Sequence, residues 1–183
     1  MRIVVAHGYR ADPSRHWFPW LVDHYGAGTV TMVGLPEPER PDLETWVHAA
    51  GAAIGEVDEE TVLVGHSLGC VTLLHALNRR ADPWRLGALV LVAGFVDPLP
   101  DLPALDPFTE EPLDLHRIRN QTAVRRVLRS DDDDVVPPEL TDRMAGLLDA
   151  PVTLVPGAGH FVDRQGVRDV PALLPILDPL LGR

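Results

Sequence analysis

The sequence predicts an α/β protein: a parallel sheet with helices on both faces. Three observations carry the prediction. Short apolar runs alternate with segments able to form helices, a serine stands in a glycine-framed turn between one such run and the next helix, and two later runs end at an aspartate cluster and at a Gly-His turn. The runs are continuously apolar rather than alternating, so both faces of each strand must be covered, as in a parallel sheet between helices.

Taken in order, strands are expected near Arg2 to Ala6, Thr29 to Val33, Thr61 to Gly65, Ala88 to Ala93, Ala123 to Leu128 and Val152 to Val155. Helices are expected over Trp17 to His24, Leu43 to Glu56, Leu68 to Arg80, Glu139 to Leu148 and part of the tail after Val167. Two regions break the pattern. Asp97 to Pro112 contains Pro98, Pro100, Pro103, Pro107 and Pro112, which rules out a regular helix and predicts a loop or short lid over the carboxyl edge of the sheet. In the tail, Pro171, Pro175 and Pro179 rule out one long helix, whereas Pro175 suits the first turn of a short final one.

Composition narrows the function. A chain of 183 residues holds one well-buried core, so residues 1–183 are read as a single domain. Its net charge of −11 and its scattered arginines, with no lysine at all, argue against a nucleic-acid or anionic-membrane partner, which needs clustered cations. The apolar start, Met1 to Ala6, is too short for a signal peptide, and the one cysteine, Cys70, excludes an intramolecular disulfide; both fit a cytoplasmic location. Cys70 has no base set beside it in sequence and reads as a packing residue.

The chemistry is concentrated at Gly65-His66-Ser67-Leu68-Gly69. In a strand–turn–helix of this kind the serine backbone is strained, and side chains at the glycine positions would strike the neighbouring strand or helix. The hydroxyl is thereby held at the sheet edge over the positive end of a helix. A serine hydroxyl becomes a useful nucleophile only when a histidine takes its proton and an acid orients that histidine. Asp131 to Asp134 and Gly157-Ala158-Gly159-His160 stand at later strand ends, in that order. The four consecutive aspartates leave the choice of acid open. Like charges repel, so those not engaged by His160 are expected to point to water.

Further stretches specify a family. His7-Gly8-Tyr9-Arg10-Ala11, His16-Trp17-Phe18-Pro19-Trp20-Leu21, Leu35-Pro36 with Pro38, His66-Ser67-Leu68-Gly69-Cys70, Leu91 to Phe95 and Gly159-His160-Phe161 stand in order along nearly the whole chain. Together they resemble the YdeN-like small serine hydrolases, relatives of retinoblastoma-binding protein 9, in the α/β-hydrolase superfamily. The resemblance implies a reduced α/β-hydrolase core without a large cap, its six parallel strands ordered 2-1-3-4-5-6. It also implies a Ser67–Asp133–His160 triad, since Asp-x-Val-Val-Pro selects Asp133, with Asp132 the runner-up.

By the same pattern the oxyanion donors are the backbone amides of Tyr9 and Leu68. Arg10 and His16 are expected to line the mouth of the substrate site, His7 to shape the oxyanion loop, and Trp17 and Trp20 to pack. His66 is expected to face away from the serine. The expected activity is hydrolysis of a small or medium ester, thioester or reactive amide through an acyl-serine, with no metal or organic cofactor. The alternative is an interaction protein that keeps the fold without the chemistry. Acidic residues in the proline-rich segment and just beyond it, including Asp97, Glu111 and Asp114, would disfavour an anionic substrate if they faced the site.

Overall fold

The structure, a computed structural model, describes residues 1–183. All six expected strands form: β1 (Arg2–Ala6), β2 (Val30–Val33), β3 (Thr61–His66), β4 (Leu86–Val92), β5 (Thr122–Arg129) and β6 (Val152–Leu154). They pair in parallel in the order β2-β1-β3-β4-β5-β6. The chain runs outward from β1 to β2 and then returns to β3. The carboxyl ends of β1 and β3 therefore flank a crevice at the point where the strand order reverses, the usual ligand position in open α/β sheets.

The helices are α1 (Phe18–Tyr25), α2 (Leu43–Ile54), α3 (Leu68–Asn78), α4 (Pro107–Glu110), α5 (Leu115–Gln121), α6 (Pro138–Leu147) and α7 (Leu174–Leu180). Strand side chains alternate between two cores. Val4, Ala6, Leu63, Leu89 and Leu91 enter the core shared with α2, α3 and α6, whereas Ile3, Val5, Val62, Val64 and Val90 enter the core shared with α1 and α7. This is why the central strands β1, β3 and β4 are almost wholly apolar, whereas β5 carries Arg125 and Arg126 and β2 an exposed Thr31. Helix ends follow local chemistry: the Asp42 carboxylate accepts the Thr45 N–H at 3.0 Å to start α2, a cap worth about 1 kcal/mol. Pro175 sits in the first turn of α7, as its fixed φ favours, while Pro179 falls inside that helix near its end.

Three sequence expectations need correction. The segment Asp97 to Pro112 contains a 3-10 turn, Pro103–Leu105, and the single-turn helix α4, and it buries Leu99, Leu105 and Phe108. Phe108 meets the Trp46 ring edge-on at 5.7 Å, and its carbonyl accepts from His75 Nε2 at 2.8 Å. The segment crosses the carboxyl edge as expected, with Leu102 and Leu105 beside Ser67 and His160, but it does so as short helical turns packed into the core. The short helix α5 went unassigned because it abuts β5 with no breaker between them; its signal was Asp114, whose carboxylate accepts the Arg117 N–H at 2.8 Å. Finally, β6 is an edge strand with one face open: Val152 and Leu154, on the same face, are 41% and 46% exposed, whereas Thr153 on the other face is half-buried.

Candidate active site

Ser67 follows β3 directly, with φ of 54° and ψ of −125°, a conformation costly for any residue with a side chain. Neighbouring contacts hold it there. Its N–H donates to the Val92 carbonyl at 2.9 Å. A Cβ at Gly65 would come within 2.8 Å of Cys70 Cα, and one at Gly69 within 2.3 Å of the Ala6 carbonyl oxygen and 2.5 Å of that of His7. The two glycines therefore let α3 and the end of β1 close on the turn, as the motif requires. Gly8 is a third close approach, where a Cβ would stand 2.8 Å from Ser67 Cβ.

The structure brings the predicted side chains together. Ser67 Oγ lies 2.9 Å from His160 Nε2, and His160 Nδ1 lies 2.8 and 3.0 Å from the two oxygens of Asp133. Asp133 Oδ1 also accepts the Val135 and Val136 N–H groups, each at 2.9 Å. The Asp133 carboxylate accepts a hydrogen bond from Nδ1–H of His160, which leaves Nε2 free to accept from the Ser67 hydroxyl. The side chains of His160 and Asp133 are only 6% and 3% exposed, so little water screens their interaction.

Asp131, Asp132 and Asp134 are exposed to water, as expected, yet each also accepts hydrogen bonds from the protein. Asp131 accepts the Gly157 N–H at 2.9 Å, and Asp132 accepts the Gly159 N–H at 2.8 Å and the Ser130 hydroxyl at 2.5 Å. Asp134 accepts from Gln165 Nε2 at 2.7 Å and from the Arg164 guanidinium at 3.3 and 3.4 Å. Hydrogen bonding from Ser130, then from Gly159, holds the Asp132 carboxyl below the usual range. The acidic run thus clamps the loop that carries His160, and its like charges are offset by donated hydrogens.

Two residues with no role in the sequence-based triad also position His160. Gln165 Oε1 accepts the His160 N–H at 2.7 Å, and His66 Nε2 donates to the His160 carbonyl at 2.8 Å. Nothing local in the sequence marks Gln165, which reaches its partner by the chain doubling back after Gly159. His66 does not touch Ser67, in line with expectation, yet it is not idle. Burial, reinforced by the proximity of His160, pushes its pKa well down and keeps the ring neutral. Its tautomer follows from the carbonyl it faces.

His7 occupies the loop after β1, where Nε2 accepts the Leu35 N–H at 3.3 Å and Nδ1 donates to the Gly8 carbonyl at 2.9 Å. Both nitrogens are committed to fixing the loop, and burial lowers the pKa of the ring. The neighbouring Tyr9 amide and the Leu68 amide at the start of α3 have no partner among the turn and loop hydrogen bonds. Burial pushes the Cys70 thiol up, which denies it thiolate character. His75 is buried beneath Phe108, whereas His24, His48 and His116 are exposed. Trp17 is fully buried and Trp20 half-buried against the same core.

A cleft of about 350 Å³ opens over Ser67 and His160. Arg10 and His16 both line it, and Leu102, Leu105, Val135 and Val162 supply its apolar walls. The Arg10 guanidinium lies 4.8 Å from the centre of the Tyr9 ring. His16 Nδ1 accepts the Asp163 N–H at 3.2 Å, and burial lowers its pKa against the partly offsetting Asp163 carboxylate. No helix of the chain is long and apolar enough to cross a membrane.

Comparison with known proteins agrees with this architecture. The chain is 35% identical over 178 residues, 96% of its length, to a Bacillus subtilis (strain 168) protein named as a hydrolase, YdeN, of which the match covers 94%. It superposes on the crystal structure of the B. subtilis ydeN product with a TM-score of 0.93 at 34% identity, covering 100% of this chain and 99% of that one. A YdeN-like hydrolase from Pectobacterium atrosepticum shares the fold with a TM-score of 0.74 at 19% identity over 98% of this chain and 89% of the other. Residues 3–179 match the family described as serine hydrolase. The chain belongs to that serine hydrolase family, within the α/β-hydrolase superfamily.

Proposed function

We propose that the chain hydrolyses an ester, thioester or reactive amide through an acyl-serine intermediate, with Ser67, His160 and Asp133 as the reacting relay. The observation that carries this is the hydrogen-bonded series from Ser67 Oγ through His160 to Asp133, all within 3.0 Å per step. Attack of Oγ on the substrate carbonyl carbon passes the hydroxyl proton to His160 Nε2. The imidazolium so formed stays bonded to the Asp133 carboxylate, which stabilises its charge.

The carbonyl oxygen becomes an oxyanion, and the Leu68 and Tyr9 amides are its donors in this mechanism. Losing one such donor costs about 3 to 4 kcal/mol in the transition state. Collapse of the tetrahedral species breaks the bond to the leaving group, which takes the proton from His160. Water then repeats the sequence against the acyl-serine, releasing the acid and restoring Ser67. Every proton moved is held by this chain or by water, so the chemistry as written calls on no metal or cofactor.

The test is turnover of p-nitrophenyl acetate by wild type and by Ser67→Ala. Loss of turnover in a folded Ser67→Ala protein is expected, because removing one hydroxyl at the cleft floor leaves the packing intact. Equal turnover by both proteins removes Ser67 from the mechanism. No turnover by wild type on any ester, thioester or activated amide favours an interaction protein built on the same fold.

A further inference from the structure

The walls of the cleft carry a charge pattern that a neutral substrate would not use. Three of the lining residues are arginines, Arg10, Arg15 and Arg164, and one, Asp163, is acidic. Asp163 is already engaged by Arg15 at 3.3 Å. Glu39 and Asp134, the partners of Arg10 and Arg164 at 2.9 and 3.3 Å, do not line the cleft although their arginines do. In those two pairs it is the arginine, and not the carboxylate, that borders the cleft.

The side chains of the three arginines are 53% to 64% exposed, and ion pairs so exposed contribute little and exchange readily. Each guanidinium has five N–H donors, more than its one carboxylate takes up. The acidic residues that were expected to repel an anion lie elsewhere: Asp97 binds Arg143, Glu111 binds Arg79, and Asp114 caps α5. That stretch of chain gives the cleft only Leu102 and Leu105. Each of the three cations keeps a carboxylate within 3.3 Å, so the mouth offers an anion spare guanidinium N–H donors rather than net positive charge, on a body of net charge −11 that repels anions as a whole.

We propose that the substrate carries an anionic oxygen group, a carboxylate or a phosphonate-like group, a few atoms from the scissile carbonyl. Arg10, Arg15 and Arg164 bind that group while the intervening chain lies against Leu102 and Leu105. The proposal takes the reacting carbonyl to be attacked by Ser67, as above. Guanidinium forks suit both kinds of anion, since each presents two oxygens in a plane.

The experiment compares kcat/KM for mono-p-nitrophenyl adipate, its neutral methyl ester, and p-nitrophenyl 6-phosphonohexanoate. An anionic ester is expected to exceed the neutral one about tenfold or more, with the advantage shrinking as salt rises from about 50 to about 500 mM. Arg10→Gln combined with Arg164→Gln should bring the ratio close to one, chiefly by raising KM for the anionic ester. Whichever anion gains more identifies the headgroup. In parallel, Ser67→Ala protein is titrated calorimetrically with monomethyl and dimethyl adipate, which reports binding without chemistry. Preference for the neutral ester, or an anionic preference untouched by the double substitution, overturns the proposal. Binding of the monoanion by Ser67→Ala protein when wild type hydrolyses none of the esters upholds the anionic site and refutes the nucleophile.

Discussion

Replacing Asp133 with Asn changes one atom and should cost nearly all of the activity. Asp133 Oδ1 accepts from Val135 and Val136 at 2.9 Å each, so the amide oxygen of an Asn must occupy that position to keep both bonds. The amide NH₂ is then directed at His160 Nδ1, where Oδ2 now stands 2.8 Å away. A donor facing Nδ1 forces the proton of the ring onto Nε2. In that tautomer the ring donates to Ser67 and cannot take its proton. Loss of turnover by about 10⁴-fold is expected, or about 5.5 kcal/mol at about 1.4 kcal/mol per factor of ten.

Thermal stability should change little, since shape and the two backbone bonds survive. The assay is steady-state hydrolysis of p-nitrophenyl acetate by purified Asp133→Asn protein, with circular dichroism as the check on folding. Asp132→Asn is the control, because its remaining amide oxygen still accepts from Gly159 and Ser130, and it should lose far less. A damaging Asp132→Asn beside a nearly intact Asp133→Asn refutes the assignment of the acid.

Three more outcomes follow from particular contacts. Gly69→Ala drives a Cβ into the Ala6 and His7 carbonyls at 2.3 and 2.5 Å, so it should destabilise by about 1 to 3 kcal/mol or more and be read as a fall in Tm together with lost activity. His66→Gln removes the ring that holds the His160 carbonyl; it should lower kcat more than it raises KM, and equal loss in both would place His66 in substrate binding instead. Acid should unfold the protein early, because burial depresses the pKa of His7, His16, His66 and His75, each neutral in the folded state.

The sign of that last effect is set by proton uptake. Below about pH 6.5 the unfolded chain binds protons on these four rings that the folded chain refuses, so stability present above that pH is lost as pH falls, by up to about 1.4 kcal/mol per pH unit per ring. Asp163 beside His16 and Glu111 beside His75, at 3.4 and 3.6 Å, soften the effect without reversing it. Urea denaturation at a series of pH values between about 4 and 7 measures the slope; a flat profile over that range contradicts the neutral-histidine account.

The central strands β1, β3 and β4 were legible because burial on both faces writes itself as nearly unbroken apolar sequence, and the turn at Ser67 because only glycine tolerates the approach of Cys70 and the Ala6 carbonyl. His160 was legible for a related reason: Gly157 and Gly159 adopt positive φ, of 69° and 51°, in the turn before it. Asp133 could be told from its neighbours only by resemblance. All four aspartates are chemically alike, and what separates them is the partner each one meets: the Gly157 amide for Asp131, the Gly159 amide for Asp132, the His160 ring for Asp133, and the Gln165 and Arg164 side chains for Asp134.

Long-range pairings explain the rest of what sequence could not show. Gln165 and His66 act on His160 through backbone atoms, whose partners carry no side-chain signature. The helix α5 is only seven residues long and runs straight into β5, so neither length nor a breaker announced it. The proline-rich stretch looked like a connection because prolines conceal the spacing of Leu99, Leu105 and Phe108, which the fold buries together. The orientation of the arginine pairs at the cleft is likewise a property of the folded surface and has no counterpart in composition.

In the proposed mechanism His160 activates the Ser67 hydroxyl as a nucleophile. Labelling with a fluorophosphonate, followed by peptide mass spectrometry, tests it most directly. A single phosphonyl adduct on the peptide containing Ser67 is expected, absent in Ser67→Ala and strongly slowed in His160→Ala. An adduct on any other residue, or labelling of Ser67 at an undiminished rate in His160→Ala, would contradict the account.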